Sequence, residues 1–185
     1  IDANGNTIAA SRPELMGINY QNTERFKLLS TAKDPNRLFV LSPFTTVLGN
    51  FSVGLARIHM TPSGVFGGYV IAILAPEYFS VLLNSILYFG DTRVSLIHGD
   101  GKVVYRMPDP EHSIGKDLTS NPAALFLKHK QSGLAQDTFH GPTLASAEER
   151  VVTFQDVWPV EVSSDKPLVV ALSRSVSAIY TTWRR

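Results

Sequence analysis

Polar and apolar residues alternate over several short stretches of the chain, and this period-2 rhythm predicts more strand than helix. Arg37–Ser42, Asn50–His59 and Phe66–Leu74 read as three strands, with Ser63-Gly64 turning the last pair. Ahead of them, Asn22 or Thr23 can cap a helix running to about Ala32, its Phe26, Leu28 and Leu29 turned to the core. Pro76–Phe89 reads as a helix with proline in its first turn, where the missing N–H costs nothing. Further on, Val94–Ile97 and Lys102–Arg106 flank an Asp100-Gly101 turn. Asn121-Pro122 opens a helix that Gly133 closes. Leu134–His140, Arg150–Trp158 and Pro167–Arg174 supply three more strands, and a last helix starts near Ser175.

These elements echo one another. Asp2-Ala3-Asn4-Gly5-Asn6-Thr7-Ile8 reads as a tight turn then a strand, with Gly17 beyond a short loop. His98-Gly99-Asp100-Gly101-Lys102-Val103-Val104 repeats the arrangement, with Gly115 beyond its loop, at the same offset to within two residues. Ile71–Leu74 is matched in the same way by Val169–Leu172, each strand running into a helix. Agreement over so much chain points to two related α+β units in tandem, residues 1–90 and 91–185. In each, a hairpin, a loop or helix and three strands make an antiparallel sheet with helices on one face.

The chain has 185 residues, enough for one large domain or two small ones. Its 17 Lys and Arg nearly cancel 16 Asp and Glu and are scattered, so a nucleic-acid-binding stripe is excluded. With no cysteine, disulfides, thiolate metal sites and cysteine nucleophiles are excluded together. The apolar run Tyr69–Leu74 is far too short to span a bilayer. The opening Ile1-Asp2-Ala3-Asn4-Gly5 and the closing Trp183-Arg184-Arg185 both read as cut ends, as in a piece of a longer protein.

No nucleophile elbow, phosphate loop or zinc-protease motif is present, and no cofactor is called for. The five histidines lack paired metal-ligand spacing. Glu148-Glu149 reads as a solvated hairpin tip, because adjacent strand residues point oppositely and make a poor acid/base pair. Along Phe51–His59 the odd positions are Phe51, Val53, Leu55, Arg57 and His59, an apolar face ending in two polar residues. Two readings fit: Arg57 meets an acidic partner or ligand, or the strand emerges and both side chains reach water. Arg25 and Phe26 in the first turn of their helix, with Arg37 and Phe39, pose the same choice. They are either an aromatic pocket with arginine at its mouth, suited to an anionic small molecule, or a phenylalanine core with surface arginines.

The whole chain resembles the double Cache (tandem PAS-like) sensor domains of bacterial receptors, most closely those ahead of GGDEF-type diguanylate cyclase or histidine kinase domains. The likeness is carried by Ile1-Asp2-Ala3-Asn4-Gly5, Thr23-Glu24-Arg25-Phe26, Leu38–Pro43, Ala56-Arg57-Ile58 and Ser63–Gly68 in the first unit. In the second it is carried by Gly99-Asp100-Gly101, Arg106-Met107-Pro108, Ile114–Leu118 and Pro167–Val170. It implies a membrane-distal unit that binds the signal and a membrane-proximal unit that couples it to a transmembrane helix. The long N-terminal helix of such domains, which mediates dimerisation, would lie before Ile1. Matching positions place Arg25, Phe26, Phe39, Ser42, Arg57 and Tyr69 at the distal pocket. Amino-acid-binding members carry a carboxylate where this chain has Ile73-Leu74, so the resemblance points to a carboxylate, another anion or an apolar ligand instead. The resulting expectation is a periplasmic, non-enzymatic ligand-sensing module of an inner-membrane receptor. The alternatives are a protein-binding or structural tandem domain and, more remotely, a small periplasmic hydrolase.

Overall fold

The computed structural model describes residues 1–121, 124–143 and 146–181, with side chains from 148 onward after the second gap. Pro122 and the closing Trp183-Arg184-Arg185 lie outside the described residues. The chain divides into two compact units. The first comprises Ile1–Leu41, Gly54–Ile73 and Pro159–Asp165; the second comprises Ser42–Val53, Leu74–Trp158 and the chain from Lys166.

The first unit is built around helix α1 (Glu24–Thr31) and a sheet in the order β1 (Phe39–Thr45), β2 (Phe51–Met60), β3 (Phe66–Leu74). Thr23, not Asn22, is the cap: its hydroxyl accepts from the Phe26 amide at 3.3 Å. Phe26 and Leu29, one helical turn apart, pack on Phe39, Leu41, Ala56, Ile58 and Tyr69. Leu28 falls outside that stripe and is 48% exposed, correcting the expectation that it faces inward. In β2 the buried positions beyond Gly54 are Ala56 and Ile58, so the odd face carrying Arg57 and His59 is the outer one.

The predicted N-terminal hairpin is reduced to its turn. The Asp2 carboxylate accepts from the Asn4 and Asn6 amides, Gly5 takes φ +87°, and pairing stops at single bridges Asn6–Asn19 and Asp2–Gly68. The segment 159–165 completes this unit: Leu38 N–H donates to the Ser163 carbonyl, Asp165 N–H to the Leu38 carbonyl, and Val40 N–H to the Asp165 carboxylate at 2.8 Å.

The second unit holds a five-stranded antiparallel sheet, order β5 (Val103–Met107), β4 (Arg93–His98), β8 (Leu168–Ser175), β7 (Ser146–Val157), β6 (Gln136–Thr143). β7 begins well before Arg150, so Glu148 and Glu149 lie on a strand and not at a hairpin tip. One face packs Val94, Leu96 and Tyr105 against Leu83 of α2 (Ser80–Asn84) and against Val53. The other face meets α3 (Leu125–Ser132), which ends at Gly133 in the left-handed conformation (φ +67°). β8 runs straight into α4 (Val176–Thr181).

The sequence echo is a backbone echo. Gly17 N–H donates to Thr7 O as Gly115 N–H does to Val103 O; Tyr20 N–H donates to Gly5 O as Leu118 N–H does to Gly101 O. Asn19 caps Gln21 as Asp117 caps Thr119, at 2.9 and 2.8 Å. The two units therefore repeat one turn-and-loop design.

Candidate functional site

Strand alternation fixes which residues of the second unit share a face. Register sets Arg106 opposite Ser95, Ser95 opposite Ala171 and Ala171 opposite Phe154, one continuous row across four strands. The neighbouring row carries Ser173 and Val152. Between these rows and α3 lies a cavity of about 360 Å³. Its sheet side presents Arg106 and the hydroxyls of Ser95 and Ser173 beside Ile97, Val152 and Phe154. Opposite them stand Leu125 and Phe126 of α3, and Ser113, Lys116 and Asp117 of the loop after β5. The walls are mainly apolar with a few converging polar groups, the usual make-up of a small-molecule site.

Hydrogen-bonded polar and charged side chains hold these walls. The Arg150 side chain, 1% exposed, donates to Ser173 Oγ at 3.1 Å, Ser173 O at 3.2 Å, Glu148 at 2.7 Å and Asp91 O at 2.5 Å. Arg174 grips the Asp91 carboxylate, and this hydrogen bond first of all holds the Asp91 pKa below the ordinary range. His129, 1% exposed, is held on α3 between two carboxylates, with Nδ1 at 2.5 Å from Asp137 and Nε2 at 2.9 Å from Asp156. Its ring stacks on Phe154 at 5.1 Å, tying α3 to the cavity floor. Burial works against the Asp109 charge, but hydrogen bonds from the Ser113 hydroxyl and amide and from the Ile114 amide outweigh it and leave its pKa lowered.

Arg106 differs from all of these. It is 9% exposed, and its buried Nε has no hydrogen-bond partner among the described residues. Burial is the main influence pulling its pKa down; Glu111 and Asp109 oppose that through space, while Arg93 and Arg150 reinforce it. Glu111 gives Oε1 to Arg93 at 2.5 Å, and its buried Oε2 has no hydrogen-bond partner among the described residues. The Thr143 hydroxyl, also at the cavity, is likewise buried without a partner among the described residues.

Of the residues singled out from the sequence, Arg25, Phe26, Phe39 and Tyr69 come together in the first unit. Phe26 lies 6.2 Å from the Tyr69 ring, and the Arg25 guanidinium stacks 4.6 Å over Tyr20. Burial raises the Tyr69 pKa, and Arg25 pulls it back. Phe26, Phe39 and Tyr69 are core. Arg57 is exposed and donates to the Asn36 carbonyl at 3.2 Å, so the strand does emerge into water there. Ser42 is exposed and falls in the second unit. None of the six lines the cavity described above. Arg106 was missed, although the argument applied to Arg57, a charge at the end of an apolar strand, applies equally to Lys102–Arg106.

No protein-family model matches the sequence, and no curated protein is significantly similar to it. Solved structures are similar. The extracellular domain of the inferred histidine kinase rpHK1S-Z16 superposes with a TM-score of 0.79 at 22% identity, covering 99% of this chain and 71% of that one. The periplasmic sensory domain of the Campylobacter jejuni chemoreceptor Tlp1 gives 0.66 at 15%, covering 92% and 62%. The ligand-binding domain of the Pseudomonas aeruginosa amino-acid chemoreceptor PctB, in complex with L-arginine, gives 0.62 at 16%, covering 90% and 60%. The chain thus has the α+β fold of the Cache-like extracellular sensor domains of histidine kinases and chemoreceptors. Among the described residues no helix is long and apolar enough to cross a membrane.

Proposed function

We propose that this chain is the extracytoplasmic ligand-sensing part of a transmembrane receptor, a binding module without enzymatic activity of its own, which takes up a small anionic molecule. The cavity of about 360 Å³ in the second unit carries the reading, because it joins an apolar lining to a buried cation on a fold that sensor domains share. Occupancy acts by favouring one conformation of the cavity walls, which requires that the ligand bind the two states unequally. Output through a histidine kinase, as in the receptor whose extracellular domain superposes with a TM-score of 0.79, is part of this reading.

A thermal-shift screen against carboxylates, sugars, amines and nucleobases tests this. A ligand that binds only the folded state raises the melting temperature by mass action. The variant Ala171→Phe, which fills the cavity from β8, should abolish the shift while keeping the circular dichroism of the wild type. A shift that survives Ala171→Phe would place the ligand elsewhere, the cluster of Arg25, Phe26 and Tyr69 being the next place to look.

A further inference from the structure

Building on that reading of the cavity, we infer that its ligand is a monocarboxylate without an ammonium group. Its carboxylate lies on the Arg106 guanidinium and its apolar body against Phe126 and Phe154.

The head-group assignment follows from comparing two buried arginines in the same unit. Every guanidinium nitrogen of Arg150 donates, to Ser173, Glu148 or Asp91. Arg106 is 9% exposed against 1% for Arg150, yet its buried Nε is unpartnered among the described residues, and it stands in the cavity wall. A buried guanidinium is stable only when its donors are met. Among the described residues the nearby acids attract it through space but do not hydrogen-bond it: Asp109 is occupied by Ser113 and Ile114, and Glu111 gives Oε1 to Arg93 while its buried Oε2 makes no hydrogen bond. The partner therefore comes from the cavity. A planar fork of N–H donors is matched best by the two oxygens of a carboxylate.

The charge of the ligand follows from the rest of the lining. Lys116, the other cation there, is exposed and donates to the Glu111 carbonyl at 3.1 Å. A single buried positive charge suits a single negative one. The acid in the lining, Asp117, is exposed, and its Oδ1 already accepts from the Thr119 amide and hydroxyl. An ammonium carried into this space would lose its water without gaining a carboxylate. The unpartnered Thr143 hydroxyl supplies one further hydrogen bond to the ligand. Beyond the head group, Phe126 and Phe154 meet edge to face at 6.2 Å and give an apolar wall.

Isothermal titration with butyrate and benzoate, with their amides butyramide and benzamide, and with 2-aminobutyrate tests this in the wild type and in Arg106→Gln and Arg106→Lys. The acids should bind on the order of tenfold or more tighter than their amides and than 2-aminobutyrate. Arg106→Gln should remove that preference, and Arg106→Lys should restore only part of it. Amides binding as well as acids in the wild type, a comparison that needs no variant, would overturn the carboxylate assignment and leave the sensor reading standing. The same holds if 2-aminobutyrate matches butyrate. Absence of binding by every class of compound in the wider thermal screen would overturn the sensor reading itself.

Discussion

Replacing Arg106 by methionine should make the unliganded protein more stable, although it removes a residue of the site. Methionine keeps much of the length and apolar stem but takes away a charge that is 9% exposed and unpartnered at Nε. Leaving a buried polar group unsatisfied costs about 1–3 kcal/mol. Glu111 and Asp109 recover part of this through space, which favours a gain of about 1–2 kcal/mol. For a chain of this length each kcal/mol moves the melting temperature by about 2–4 °C, so the second unit should melt roughly 2–8 °C higher. Differential scanning calorimetry at neutral pH reads this directly. A saturating monocarboxylate should reverse the order, since ligand at a hundredfold excess over Kd adds about 2.7 kcal/mol to the wild type alone. A methionine variant that melts lower than the wild type would refute the reasoning, because Arg106 would then be stabilising the empty cavity. Arg150→Met serves as the contrast: it strips partners from Ser173 and Glu148 and should lower stability by about 2–3 kcal/mol.

Three other outcomes follow from the geometry. His129→Ala removes a fully buried ring that stacks on Phe154 and bridges two carboxylates; urea denaturation should show a loss of about 3–5 kcal/mol, and a loss under 1 kcal/mol would contradict the bridging role. The lowered pKa of Asp109 adds stability that is complete above its ordinary value of 3.8 and disappears as pH falls through the folded value; melting temperature should therefore drop in this acid range, and Asp109→Asn should flatten that limb while lowering stability at neutral pH. Gly68→Ala drives a Cβ into the Ile1 carbonyl at φ +128°; hydrogen exchange at the Tyr69 amide, which donates to Ile1, should speed up strongly, and unchanged protection would count against the close approach.

The strands were legible because alternation is a local signal. Phe66–Leu74 has the bounds read from the sequence, and the five strands of the second sheet lie within a few residues of theirs, apart from the early start of β7. Pro76–Phe89 was overread as one helix. After a 3-10 turn and the five residues of α2, the chain tightens, with Ile86 N–H donating to Leu83 O and Leu87 N–H to Asn84 O. Of its large apolar residues only Leu83 is deeply buried, while Tyr78, Val81 and Leu82 are exposed, so packing gives a longer helix little support. The site was less legible. Its polar row is assembled by strand register, and Arg106, Ser95, Ala171 and Phe154 have no spacing in sequence that would announce them. The same is true of His129 with Asp137 and Asp156. That the segment 159–165 belongs with the first unit shows in backbone hydrogen bonds at Leu38 and in the Asp165 carboxylate on Val40, which leave no periodic trace.

The junction between β8 and α4 has a mechanical consequence. Ala171 and Ser173 line the cavity, Ser175 ends the strand, and Val176 begins the helix with no loop between them. A flexible linker would absorb a shift of the strand as local bending. Here there is no such slack, and the seam is clamped by Arg174 and the Ser175 amide on the Asp91 carboxylate. Strand and helix are joined as a single push rod, so a displacement of the cavity wall would be passed to the base of α4 with little lost to local bending.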